Sequence, residues 1–260
     1  MLALGLAPGA AAMPARVVSM NLCTDQLAML LAAPGQLVSV SFLAADPMSS
    51  AMAAEARAYR LNHGQAEEVF LMRPDLVLAG RYTARAAVDL LRRLGVKVVT
   101  VDAPATLDAV PDTVRAVGAA LGRSPQAEAM ATDFTARLAA LRAHPAPPRR
   151  AALYGPGGFT SGSGTMADDI LRAAGLTNVA AAAGLSGYAV LPLEKLVMAA
   201  PQEVIVSATY PGTSRPEEVL QHPALKALAA RIGPPRQTGP GWDCGTPRVL
   251  DAIAGLEARP

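Results

Sequence analysis

The feature that most restricts what this chain can become is a repeated alternation of short β-branched runs with helical stretches. "RVVSM" leads into "CTDQLAMLLAA" and then "LVSVS"; "AEEVFLMR" leads into "DLVLAG"; "ARAAVDLLRRLG" leads into "VKVVTV". The connections are short and carry Gly, Pro or Asp, the pattern of βα units around a mainly parallel sheet. Gly35, Gly95 and Gly122 follow helical runs as C-caps, and Thr24 is placed to cap the first helix, with Asp25 in its first turn.

Ser124 and Pro125 then open "SPQAEAMATDFTARLAALRAH", which has no further Gly or Pro. This predicts one helix over 124–144, about 20 residues and roughly 30 Å long, stopped by "PAPPRR". The alternation restarts with "AALYG", "TMADDILRAAG", "LEKLVMAA", "EVIVSA" and "PEEVLQHPALKALAARIG", and closes on "TPRVLDAIAGLEA". The expected fold class is α/β: two Rossmann-like lobes with mainly parallel sheets, residues 16–122 and 148–260, joined by one long helix within 123–147. The ligand cleft is expected between the carboxyl ends of the two sheets. A single helical connection resists bending, because bending breaks backbone hydrogen bonds, so small lobe tilts are expected in place of hinge closure.

Residues 1–15, "MLALGLAPGAAAMPA", stand apart. They are apolar and end in small residues like a secretory signal, without a basic n-region, so export to the periplasm is expected. No later segment approaches the roughly 18 consecutive apolar residues of a membrane span. Net charge is +2 and the Lys and Arg residues are scattered, which argues against nucleic acid as a partner.

The halves share a pattern. "EEVFLMRPDLVLAG", from Glu67, and "EKLVMAAPQEVIVSA", from Glu194, each place a glutamate seven residues before a proline that ends a helix, with an apolar strand directly after. Glu68 is a rival for Glu67.

Loops after the strands should line the cleft. They supply Asn21, Leu22, Cys23, Asn62, His63, Arg81 and Tyr82 from the first lobe, and Tyr154, Phe159, Thr160, Ser161, Gly187, Tyr188, Tyr210, Trp242 and Asp243 from the second. Every Tyr but Tyr59, and the single Trp, falls in these loops. Such side chains grip a flat macrocycle or aryl chelate by stacking and broad apolar contact. Arg81 could neutralise an anionic group of the ligand, whereas Arg248 is expected to brace its own loop. His63 could be an axial ligand of a chelated metal, but His144 and His222 are poorly placed to join it in holding a bare ion.

Cys23 and Cys244 both flank helices on the expected cleft side, and three states stay open: packed thiols, a disulfide bridging the lobes, and coordination of a chelate. An even, low count is compatible with one disulfide in an oxidising compartment. A disulfide needs Cα atoms within about 7 Å, which a wide cleft forbids. The alternative from another class is a thiol-dependent enzyme with Cys23 activated at a helix N-terminus and His63 as base, though no third residue to orient the base is evident. "GPGGFTSGSG" at 155–164 lacks both the Walker lysine and the dinucleotide-binding spacing, so it is read as a flexible cleft wall.

The chain resembles the helix-linked substrate-binding proteins of ABC importers that carry cobalamin, haem and ferric siderophores, most of all the cobalamin-binding members. The resemblance is carried in order by "RVVSMNLCTDQLAMLLA" (16–32), "GQAEEVFLMRPDLVLAG" (64–80), "LRRLGVKVVTVDAP" (91–104), "GGFTSGSGTMADDILRAAGLTNVA" (157–180), "LEKLVMAAPQEVIVSA" (193–208) and "CGTPRVLDAI" (244–253). It implies a monomeric, non-enzymatic periplasmic receptor with no cofactor and no directly bound metal. Its cargo would be a metal chelate, with a corrinoid favoured, then a ferric siderophore, then haem. Its partners would be an inner-membrane permease and the ATPase of that permease. The resemblance places Glu67 and Glu194 where this family pairs a surface glutamate on each lobe with permease arginines.

Overall fold

The computed structural model describes residues 13–143, 148–207, 212 and 214–257. In chain order the first part contains β1 (Val17–Ser19), α1 (Leu22–Leu31), β2 (Leu37–Ser41), α2 (Ala53–Ala56), β3 (Arg60–Asn62), α3 (Ala66–Leu71), β4 (Leu76–Gly80), α4 (Arg85–Arg93), β5 (Val98–Val101) and α5 (Val110–Leu121). Then α6 runs over Ser124–Ala143. The second part contains β6 (Arg149–Leu153), β7 (Phe159–Ser161), α7 (Met166–Ala173), β8 (Leu176–Asn178), α8 (Val179–Ala182), β9 (Tyr188–Val190), α9 (Leu193–Met198), β10 (Glu203–Val206), α10 (Pro223–Ile232), β11 (Arg236–Gln237) and α11 (Val249–Glu257).

The strands form two parallel sheets, in the orders β3-β2-β1-β4-β5 and β11-β10-β6-β8, as the βα alternation predicts. β7 and β9 form a separate antiparallel pair inside the second lobe, over a stretch read from sequence as loop. Central strands are apolar on both faces because helices cover both sides, as every residue of β1 and β4 is buried.

Local chemistry sets the helix ends. Asn21, not Thr24, caps α1: its Oδ1 accepts from the Cys23 amide at 3.1 Å, while the Thr24 hydroxyl donates to the Asn21 carbonyl at 3.0 Å. α5 ends on Gly122 at φ 70°, a left-handed cap that suits glycine. The stretch "PEEVLQHPALKALAARIG" is not one helix. His222 is extended ahead of Pro223, as pre-proline sterics demand, and separates a 3₁₀ segment from α10.

α6 buries Ala127, Ala131, Phe134 and Leu138, one stripe at helical spacing. Gly118 of α5 brings the two helices together, since a Cβ there would collide with that of Ala127. Through α6 one apolar core runs from Val17, Leu27 and Leu78 in the first lobe to Ile170, Val249 and Ile253 in the second. Bending the lobes apart would therefore expose core, not merely flex a linker. No helix among the described residues is long and apolar enough to cross a membrane.

Candidate functional site

In each sheet the chain starts in the middle and later returns to the other side of its first strand, so order reverses between β1 and β4 and between β6 and β10. Loops diverge at such reversals and leave a crevice beyond the carboxyl ends of the strands. The two crevices face each other and enclose a cavity of about 580 Å³. Asn21, Gly80 and Arg81 come from the first reversal, and Leu153, Tyr154, Gly155 and Ser207 from the second. Gly80 is required where it is: a Cβ would meet the Asn21 side chain at 2.7 Å.

The aromatic side chains form two tiers. Tyr154 and Trp242 are buried in the base. Tyr82, 89% exposed, stands at the rim from the first lobe. Phe159 and Tyr188 line the cavity from the second lobe and stack at 5.6 Å and 18°. Thr160 lies in the wall, its hydroxyl already donating to the Leu153 carbonyl at 2.7 Å.

Three charged residues line the cavity: Arg81, Asp102 and Asp243. Arg81 grips Asp102 with two hydrogen bonds, Nε to Oδ1 at 3.1 Å and Nη2 to Oδ2 at 2.7 Å. These bonds hold the Asp102 carboxyl below the usual aspartate range. Asp243 has no such partner. Water reaches its carboxylate, but the surrounding walls strip part of its hydration, and this desolvation pushes its pKa up. Burial, and secondarily the charge of Glu194, raises the Tyr154 phenol. The lining is thus one negative charge in excess, and its single cation is already engaged.

Cys23 lines one end of the cavity and is disulfide-bonded to Cys244, with Cα atoms 4.9 Å apart. The bridge joins the lobes, supported by Arg248 of the second lobe reaching Glu55 of the first at 3.3 Å. With its sulfur oxidised, Cys23 is no nucleophile, which overturns the thiol-enzyme alternative.

His63 is also misplaced for that role and for axial ligation: it lies outside the cavity lining, stacks on Phe42 at 5.4 Å and faces Glu68 at 3.7 Å. Leu22 does not line the cavity, because successive residues entering a helix face different ways. Asn62 is buried and committed to structure, its Nδ2 donating to the Ser19 carbonyl at 2.8 Å and to Ser39 Oγ at 2.9 Å. Tyr210 and His144 lie outside the described residues, as do residues 1–12. Among the described residues no group of three or more His, Cys, Asp or Glu is gathered as for a bare metal ion.

Glu67 and Glu194 are both exposed, near the starts of α3 and α9, and neither makes an ion pair among the described residues. Glu68, the neighbouring carboxylate, accepts the His63 amide at 2.8 Å. Sequence reasoning missed Asp102, Thr165 and Thr238 in the cavity wall. Asp102 directly follows β5, so the rule applied to β1 and β4 would have found it.

Comparison with known proteins agrees with this geometry. Residues 17–232 match the periplasmic binding protein family. A vitamin B12-binding protein of Pectobacterium atrosepticum is 28% identical over 185 residues, 67% of this chain and 65% of the relative, just under two thirds of its length. Among solved structures, a periplasmic haem-binding protein of Pseudomonas aeruginosa superposes with a TM-score of 0.74 at 25% identity, covering 95% of this chain and 92% of that one. The haem-binding protein HutB of Vibrio cholerae gives 0.77 at 19% identity, covering 93% and 97%. A match over most of the sequence and superposition over nearly the whole fold have one reading: the chain belongs to the periplasmic binding protein family.

Proposed function

We propose that this protein is the receptor of an ABC importer, exported to the periplasm, that captures a metal chelate between its lobes and delivers it to an inner-membrane permease. A corrinoid is the favoured cargo, ahead of a ferric siderophore and haem. The observation that carries this reading is the cavity itself: apolar and aromatic surface from both lobes, with negative charge in excess. A macrocycle with a neutral, amide-rich edge can lie between Tyr82 and the Phe159–Tyr188 pair and donate hydrogen bonds to Asp243. Siderophore or haem carboxylates would meet a cavity whose one arginine is held by Asp102. The similarity to a B12-binding protein points the same way. Glu67 and Glu194 are the docking carboxylates, the permease and its ATPase are the partners, and the receptor acts as a monomer.

Trp242 is the only tryptophan and lines the cavity, so its fluorescence reports occupancy. Titration with cyanocobalamin, haemin and ferric siderophores, corrected for ligand absorbance, should give saturable quenching at micromolar affinity or tighter, strongest for cyanocobalamin. Silence across the panel, confirmed by calorimetry, would overturn the chelate reading.

A further inference from the structure

The two lobes end one short helix in the same unusual way. α3 and α9 are six residues long. Position by position, Glu67 matches Glu194, Phe70 matches Val197, Leu71 matches Met198, Arg73 matches Ala200 and Pro74 matches Pro201. The match extends to the backbone: Arg73 and Ala200, at φ 51° and 43°, are the described non-glycine residues with positive φ. Residues with a Cβ avoid that region, and such strain persists where the surrounding structure holds a neighbour in place.

The neighbours held in place are apolar and face water. Leu71 is 78% exposed and Met198 83%, more than any other large described hydrophobic except Tyr82. Phe70 and Val197 beside them are also exposed. Leu71 and Met198 lie four residues after Glu67 and Glu194, so each carboxylate shares a helix face with an apolar side chain. Each lobe therefore presents one station of the same make: an unpaired carboxylate and a projecting Leu or Met. α3 follows β3 of the first sheet and α9 follows β9 of the antiparallel pair in the second lobe, so each lobe carries one station.

We infer that Leu71 and Met198 are the apolar halves of a two-point docking face for a two-fold symmetric membrane permease, each entering a hydrophobic socket beside a cation. The inference rests on the docking role proposed for Glu67 and Glu194, and adds to it. Two like stations on one chain are matched at once by a partner that repeats one socket about an axis. A partner that engages both stations spans the two lobes, between which the cavity lies. The labour divides physically: exposed carboxylates steer and set register but hold weakly in salt, whereas buried apolar anchors set the dissociation rate.

The test uses the full receptor and its permease–ATPase complex in lipid nanodiscs, with affinity and dissociation rate read by biolayer interferometry at low and high salt. Leu71→Ser and Met198→Ser should each weaken docking about 10-fold and together about 50-fold or more, mainly through faster dissociation. The salt dependence and chelate affinity should stay at the wild-type level, and thermal melts should confirm folding. A double variant that docks within two-fold of wild type, while Glu67→Gln with Glu194→Gln docks poorly, would overturn this inference and leave the docking reading standing. Absence of docking by the wild type would overturn both. A wild-type dimer in sedimentation that the Leu71→Ser/Met198→Ser variant converts to monomer would make a second copy the occupant, and would also overturn it.

Discussion

Cys23, the second residue of α1, and Cys244, five residues ahead of α11, lie 221 positions apart in sequence and 4.9 Å apart at Cα, joined by a disulfide across the lobes. The lobes are thus tied by the core running through α6, by this bridge at one end of the cavity and by polar contacts such as Arg248 to Glu55 and the Leu107 amide to Asp169.

Cutting the bridge should loosen the molecule measurably. Closing a loop this long removes about 5 kcal/mol of chain entropy from the unfolded state, and loss of a native bridge typically costs ~2–5 kcal/mol. The Cys23→Ser/Cys244→Ser variant, or the protein in a dithiol reductant, should melt roughly 5–15 °C below the oxidised protein. Solution scattering should show wider separation of the lobes. Identical melts and profiles in both states would show that α6 and its core alone set the lobe geometry.

Asp25 gives a pH dependence with a definite sign. It is fully buried at the start of α1, with Ser41 Oγ donating to Oδ2 at 2.5 Å and no partner for Oδ1. Burial raises its carboxyl from 3.8 to about 6, against the smaller opposing effect of its hydrogen bonds. Between those values the folded chain keeps a proton that the unfolded chain has released. This contribution to stability is therefore complete below the unfolded value and is lost as pH rises through about 6. Two pKa units correspond to about 3 kcal/mol as an upper bound. Asp25→Asn should gain on wild type between pH 4 and pH 7.5 by up to that amount in denaturant melts. Parallel stability curves for the two proteins would show that Asp25 is ionised at its ordinary pKa.

Much of this architecture is legible in the residues, and the parts that are not share a cause. The strand at 76–80 announces itself because a central parallel strand covered on both faces reads as an unbroken apolar run, and those at 17–19, 37–41 and 98–101 by their β-branched valines. Pro125 and the lack of later breakers place the long helix to within a residue of its observed span over Ser124–Ala143. Asn21 and Thr24 are both good caps in "SMNLCTDQ", and only geometry selects the first. The strands β7 and β9 are three residues each in Gly-rich sequence, too short for periodicity to register. His63 reads as an open loop ligand until Phe42, brought from 21 residues earlier, stacks on its ring and the nearby Glu68 accepts its amide. The pairing of Cys23 with Cys244 is a fact of tertiary distance that no local pattern encodes.

The excess negative charge of the cavity predicts how cargo is discriminated. Asp243 lines the wall with no counter-charge of its own, and Arg81 is occupied by Asp102. An anionic chelate such as haemin must bring its propionates into this field, in partly desolvated surroundings where like charges repel more strongly than in water. A neutral corrinoid avoids that cost and can donate amide hydrogens to the carboxylate. Asp243→Asn removes the charge while keeping size and an acceptor oxygen. It should raise haemin affinity about 3- to 10-fold relative to cyanocobalamin, corresponding to about 0.6–1.4 kcal/mol. Because desolvation raises the Asp243 pKa, lowering the pH should neutralise this group before ordinary surface aspartates and shift wild-type preference toward haemin, a drift the Asn variant should lack. Calorimetric titration of both proteins with both chelates, from neutral pH down toward the ordinary aspartate range, checks this directly. An unchanged affinity ratio in Asp243→Asn at every pH would mean that the carboxylate is screened by water, and that selectivity rests on the aromatic walls alone.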